Sequence, residues 1–183
     1  MRLATWMRGG GVAGVLCILN ACQSAPLGTE AGPAPVACGG GFVRNAATLT
    51  LPPAESAPAE TPKGTPLRFA SEFPVGGGVR DIGRWQQTAP GWQAWRLRLV
   101  SEGARSLSLH FRPFDLPEGG ELWICAPQSR RQGPYTLMGP SGRKGLWTPQ
   151  VRGGEIWVEV LVPEDAKDRV QLKIAEAFAG YRL

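Results

Sequence analysis

Histidine is nearly missing from this chain: His110 is the one imidazole among 183 residues. Proton-shuttling catalysis near neutral pH draws first on histidine, so any such centre here would rest on a single side chain. Cysteine is scarce too, at four, and Cys17 and Cys22 stand in or at the end of an N-terminal leader. The cysteines left over and one histidine do not supply a metal-ligand set at sensible spacing. No glycine-rich phosphate loop runs from a strand into a helix, so the sequence carries no metal, nucleotide or other cofactor signature. No stretch holds a helical period for three turns. Strong charge is also lacking: 20 basic and 15 acidic residues give a net +5, which falls to about +3 once Arg2 and Arg8 are set aside with the leader. The basic residues are scattered, apart from Arg130-Arg131 and Arg143-Lys144, which read as solvated loop charges. A nucleic-acid partner is therefore not expected.

The leader itself is explicit. Arg2 and Arg8 precede an apolar stretch from Gly9 to Leu19, shorter than the roughly 20 residues that span a bilayer and typical of an export signal. It ends in Leu19-Asn20-Ala21-Cys22, which resembles the lipobox of bacterial lipoproteins. The resemblance implies a signal peptide over 1–21 and lipidation of Cys22 on its thiol and new amino group; an ordinary secretory cleavage after Ala21 is the alternative. Two or more acyl chains hold a protein on a membrane stably where one does not. Gln23 in place of aspartate after the cysteine implies, on the same resemblance, transfer to the outer membrane. Cys38 and Cys125 then remain in an oxidising compartment, where one disulfide is expected; two free thiols are the alternative.

Residues 22–65 are rich in Ala, Pro, Gly, Thr and Ser and poor in large apolar side chains. Such a segment buries too little surface to offset its ordering entropy, and it reads as a tether in which only Val43–Leu51 is expected to dock as a strand. Over 66–183 the pattern changes to short alternating runs. Trp95, Leu97 and Leu99 alternate with Arg96 and Arg98; Leu107, Leu109 and Phe111 alternate with Ser106, Ser108 and His110; Ile156, Val158, Val160 and Val162 alternate with Trp157, Glu159 and Leu161. Leu122–Cys125 is apolar on both faces, and Val170, Leu172 and Ile174 form a last strand. Turn residues fall between these runs at Ser101–Gly103, Pro117–Gly120, Arg152–Gly154 and Pro163–Asp165. Strands without intervening helices predict an all-β fold, a single antiparallel β-sandwich or jelly-roll-like domain.

Several ordered motifs share a likeness: Gly91 to Leu97 (GWQAWRL), Ser101 to Leu109 (SEGARSLSL), Phe111 to Gly120 (FRPFDLPEGG), Gly133 to Thr136 (GPYT), Leu146 to Val151 (LWTPQV), Gly154 to Val160 (GEIWVEV) and Gly180-Tyr181-Arg182. Together, over about residues 80–183, they resemble the β-rich N-terminal region of lysyl-endopeptidase-type bacterial trypsin-like serine proteases. In that family the region precedes the catalytic domain as a pro-region or accessory domain. The Gly-Tyr-Arg at the end of this chain falls where the protease would be expected to begin, so the resemblance implies a fold and an association with a protease, not an activity.

The residues themselves give catalysis little to work with. A serine protease needs a base, a carboxylate that orients it and oxyanion donors. His110 lies on the polar parity of its strand and reads as an exposed bystander; Gly139-Pro140-Ser141-Gly142 lacks the Asp and the second Gly of the trypsin-like nucleophile motif and reads as a loop. Glu155 and Glu159 sit on a strand with core-like neighbours and Glu164, Asp165 and Asp168 in a turn, neither set forming a glycosidase pair. The expectation is a non-enzyme.

Tryptophan is more informative, because an exposed copy stacks on a sugar or anchors a protein interface. Trp95 and Trp147 read as core. Trp157, on the parity of Glu159, and Trp123 are the candidates for exposure; with Arg96 and Arg98 they make the candidate binding surface. Three functional readings remain open: a lipid-anchored accessory module binding protein or glycan, a detached N-terminal half of a secreted protease, and a pro-region-like inhibitor or folding aid acting in trans on a protease.

Overall fold

Alternating side chains decide the architecture, because a strand with one apolar face must lay it against another sheet. The computed structural model describes residues 32–38, 46–55, 63–64, 68–127, 129–137 and 145–182. The leader, Cys22, Val43–Asn45, the Gly139–Gly142 tetrad and Arg143-Lys144 lie outside the described residues. In chain order the strands are β1 (Ala47–Leu51), β2 (Ala70–Gly78), β3 (Arg84–Ala89), β4 (Trp92–Ser101), β5 (Ser106–Asp115), β6 (Glu121–Cys125), β7 (Gln132–Tyr135), β8 (Leu146–Trp147), β9 (Val151–Arg152), β10 (Glu155–Pro163) and β11 (Gln171–Gly180). A 3-10 helix, Glu164–Arg169, fills the connection between β10 and β11.

Two sheets result. The first runs β1-β4-β10-β6-β7, with β3 also on β4; the second runs β2-β11-β5-β8, with β9 also on β5. Pairing is antiparallel except between β1 and β4, where Ala47–Leu51 lies parallel to Leu97–Ser101. The all-β sandwich expected from the sequence is the fold observed. Leu97 and Leu99 of β4, Leu122 and Ile124 of β6, and Ile156, Val158 and Val160 of β10 share one core with Leu107, Leu109 and Phe111 of β5 and with Leu172 and Ile174 of β11. Trp95, expected in the core, has no exposed surface. Its indole N–H donates to the carbonyl of Ile82 (2.8 Å), and Gly83, at φ +75°, leaves room for the ring: a Cβ there would overlap the indole.

The proline-rich segment differs from its expectation in two respects. The first is that residues 52–55, beyond β1, also hydrogen-bond to the body, with the Ala54 amide donating to the Glu102 carbonyl and the Glu55 amide to Ser71 Oγ. The strand within Val43–Leu51 is β1, but Gly32–Cys38 also lies against the body, pinned by the Cys38–Cys125 disulfide. Proline and glycine deny this piece a strand, yet a covalent tie and two hydrogen bonds to one carboxylate hold it without a large apolar face.

Register is interrupted where it matters for the surface. β11 shifts between Ile174 and Glu176 against both of its neighbours. Leu172 and Ile174 point into the core, and beyond the irregularity Ala177 and Ala179 do so instead. An extra residue in a strand re-aims every side chain after it, which turns Glu176 and Phe178 to the outer face.

Candidate functional site

The sandwich presents two outer faces. On the first sheet, cross-strand register sets Trp123, Glu159 and Arg96 in one row and Cys125, Trp157 and Arg98 in the next. All five residues of the sequence-based binding surface thus share a face, but most of them are not free to meet a ligand. Glu159 is 0% exposed, Arg96 5% and Trp123 9%. The cause is the Gly32–Cys38 strap. The amides of Val36 and Cys38 donate to the two carboxylate oxygens of Glu159 (3.1 and 3.3 Å), and Cys38 packs on a small apolar cluster of Ala94, Trp123 and Leu161. Arg96 Nε donates to Glu159 Oε1 at 2.7 Å, and its other nitrogens donate to Gln86 Oε1 and Thr88 Oγ1. Arg131, expected as a solvated loop charge, lies over the Trp123 ring, 4.8 Å from its centroid.

Farther along that face, Arg98 grips Glu155 with two hydrogen bonds of 2.9 and 2.6 Å, and the indole N–H of Trp157 donates to the same carboxylate at 3.1 Å. Arg98's hydrogen bonds hold the Glu155 carboxyl below its ordinary value, and Glu155 in turn raises the Arg98 guanidinium above its own. Trp157 is half-buried. Of the predicted surface, Trp157 and Arg98 alone reach solvent appreciably, and their polar groups are already occupied.

The other outer face holds what sequence reasoning missed. Trp147, read as core, is 63% exposed. In the two-residue β8, Leu146 takes the core position, so its neighbour must point outward. Trp147 stacks on His110 with ring centroids 4.0 Å apart and planes at 10°, and meets Phe178 at 5.4 Å. His110 is no exposed bystander: its side chain is 14% exposed, and Nδ1–H donates to Glu176 Oε2 at 2.6 Å, the tautomer that a carboxylate partner selects. An imidazole paired with a carboxylate is the arrangement that a hydrolytic triad completes with a nucleophile. Among the described residues no hydroxyl or thiol hydrogen-bonds the other nitrogen of His110, and no group of three His, Cys, Asp or Glu could hold a metal ion.

From Trp147 an open groove of about 840 Å³ crosses Phe178 to the β2 side of the sheet and the residues leading into it. Phe69, there, is 54% exposed. Three acidic residues, Glu55, Glu72 and Glu176, line the groove with one basic residue, Arg68. The sequence offered one signal for this place: the parity of Leu146-Trp147 allows only one of the two inside. The bulge that turns Phe178 and Glu176 outward left no such sign.

No solved structure matches the chain. Residues 46–177, from just before β1 into β11, match the family described as the lysyl endopeptidase N-terminal domain. That is most of the chain and nearly all of the sandwich; the matched unit is the family's N-terminal domain and not its catalytic one. The chain therefore belongs to the lysyl endopeptidase N-terminal domain family.

Proposed function

We propose that this protein is a non-catalytic binding module of a bacterial envelope, anchored through lipid on Cys22 at the outer membrane, and that the groove on the second sheet is its binding site. One observation carries the binding reading: Trp147, 63% exposed, stacks on His110 and meets Phe178 in the lining of an open groove. Exposed aromatics gathered at a concave site with a few polar groups mark a ligand or partner site. The absence of turnover is compatible with the family match, which is to an N-terminal domain and not to a catalytic one.

The family match favours a second reading: the domain serves a protease, either as the detached N-terminal part of a secreted enzyme or as an inhibitor or folding aid in trans. Two experiments separate the possibilities. Pull-down of envelope protein and glycan fractions with the full-length protein, against its Trp147→Ala variant, is expected to recover a ligand with the native chain only; equal recovery by both refutes the groove as the site. A change in the rate or refolding yield of a lysyl-type protease on adding the protein supports the protease reading. Mass spectrometry of the native protein is expected to show an acylated Cys22; an unmodified mature N-terminus refutes the anchor.

A further inference from the structure

We propose that the groove's ligand is an extended basic peptide segment, with a lysine or arginine side chain placed between the Trp147–Phe178 aromatics and the carboxylates of Glu72 and Glu55; this rests on the groove being the binding site. Three observations lead to it. The first is charge. The chain as a whole is basic, at +5, yet three acidic residues line this groove with one basic residue. Glu176 is engaged by His110, while the carboxylates of Glu55 and Glu72 pair with no cation among the described residues. A concave site of one sign on a surface of the other concentrates ions of the complementary charge.

The second observation is the aromatic row. Glu72 stands directly across from Phe178 in the β2–β11 register, and Phe178 touches Trp147. One face of Trp147 is covered by His110, and the indole shares the lining of the groove with Glu55 and Glu72. That arrangement suits a cation, which gains from the ring face and from the carboxylates' charge together, better than a sugar, whose hydroxyls can hydrogen-bond the carboxylates but cannot neutralise them.

The third is the course of the groove along β2. Residues 70–74 line it consecutively, although alternate side chains of a strand point to opposite faces. Consecutive lining residues mean that the groove follows the strand's edge. Among the described residues, β2 is the terminal strand of its sheet and pairs with β11 alone. A free edge is matched by an extended backbone, which a peptide has and an oligosaccharide has not.

The test is isothermal titration of the full-length protein at low ionic strength with pentalysine, pentaglutamate and a neutral β-linked glucose hexasaccharide, repeated on Trp147→Ala, Glu72→Gln and Glu55→Gln. Because all three positions are exposed, the variants keep the fold, which their circular dichroism checks. Pentalysine is expected to bind and pentaglutamate not. Loss of the cation–π contact in W147A weakens binding about tenfold; E72Q and E55Q each weaken it several-fold, and added salt does the same to the native protein. Pentalysine binding that all three substitutions leave unchanged overturns the proposal. Hexasaccharide binding that needs Trp147, with no response to pentalysine, overturns the peptide as ligand while leaving the groove as a binding site. No W147A-sensitive heat from any probe overturns the peptide proposal, and the pull-down then decides the fate of the groove.

Discussion

Replacing Glu159 by alanine tests whether the strap and the buried ion pair form one structural unit. Glu159 has no exposed surface, and its partner Arg96 is 5% exposed. The substitution removes the acceptor of three donors at once: Arg96 Nε, and the amides of Val36 and Cys38. A guanidinium left buried without its counter-charge costs about 3–5 kcal/mol. Each unsatisfied amide adds about 1–3 kcal/mol if it stays buried, but the strap can lift and rehydrate both, so the guanidinium sets the scale. Against a typical total of about 5–15 kcal/mol for a domain, the loss is large. It is read by urea denaturation of the oxidised protein followed by tryptophan fluorescence. The companion measurement is Arg96→Met with Glu159→Leu: with both charges gone, stability returns to within about 1–2 kcal/mol of the native protein. A Glu159→Ala variant within about 1 kcal/mol of native, or a double variant as unstable as the single one, refutes the reasoning.

Two further outcomes follow from the same face. The Cys38–Cys125 disulfide closes a loop across a separation of 87 residues, and Cys38→Ser with Cys125→Ser is expected to lower the unfolding free energy by about 4–5 kcal/mol on the chain-entropy account; a loss below about 1 kcal/mol in urea melts would contradict it. The Arg98–Glu155 pair holds the Glu155 carboxyl below its ordinary value of 4.5 through Arg98's hydrogen bonds. Its stabilisation is therefore present above that pH and is lost as pH falls through the lowered value. With side chains 37% and 27% exposed, the pair is worth under about 1 kcal/mol; the stability difference between native protein and Glu155→Gln should shrink from pH 6 toward pH 3 and also in salt, and a difference that grows on acidification contradicts the assignment.

Local pattern carried the sandwich. Leu97 and Leu99 in β4, Leu107 to Phe111 in β5 and the alternate valines of β10 are inside, as period two requires, because each strand is long enough for its pattern to be read. Trp95 follows from the same parity. The cysteine count and the implied compartment led to the Cys38–Cys125 bridge without any geometry. What sequence reasoning missed is non-local. Arg96 and Glu159 do stand on the outer parity, but the chain covers them with residues 121 and 123 positions away from Glu159, a contact no alternation announces. Trp147 belongs to a strand of two residues, too short for a period. Glu176 and Phe178 extend the run Leu172, Ile174 and would face the core if the strand were regular; one register shift reverses them. His110 was placed on the correct face, yet its partners come from β8 and β11, 37 and 66 positions on.

The two outer faces answer the same problem differently, and the difference bears on how tightly the groove can bind. A charged pair on an open face is screened by water; the strap excludes water from Arg96 and Glu159 and turns that face into structure. Among the described residues nothing covers the groove, and Trp147 and Phe69 reach solvent. Covering most of the exposed part of Trp147 removes about 150 Å² from water, a gross gain on the order of 3–4 kcal/mol, and Phe69 adds about 2. Association costs at least about 4 kcal/mol in lost freedom. Aromatic burial alone therefore leaves no more than about 1–2 kcal/mol, weaker than a millimolar complex. Whatever occupies the groove must gain from its carboxylates or from the open edge of β2 as well, and a neutral partner that uses neither would hold only through many copies acting together on a surface.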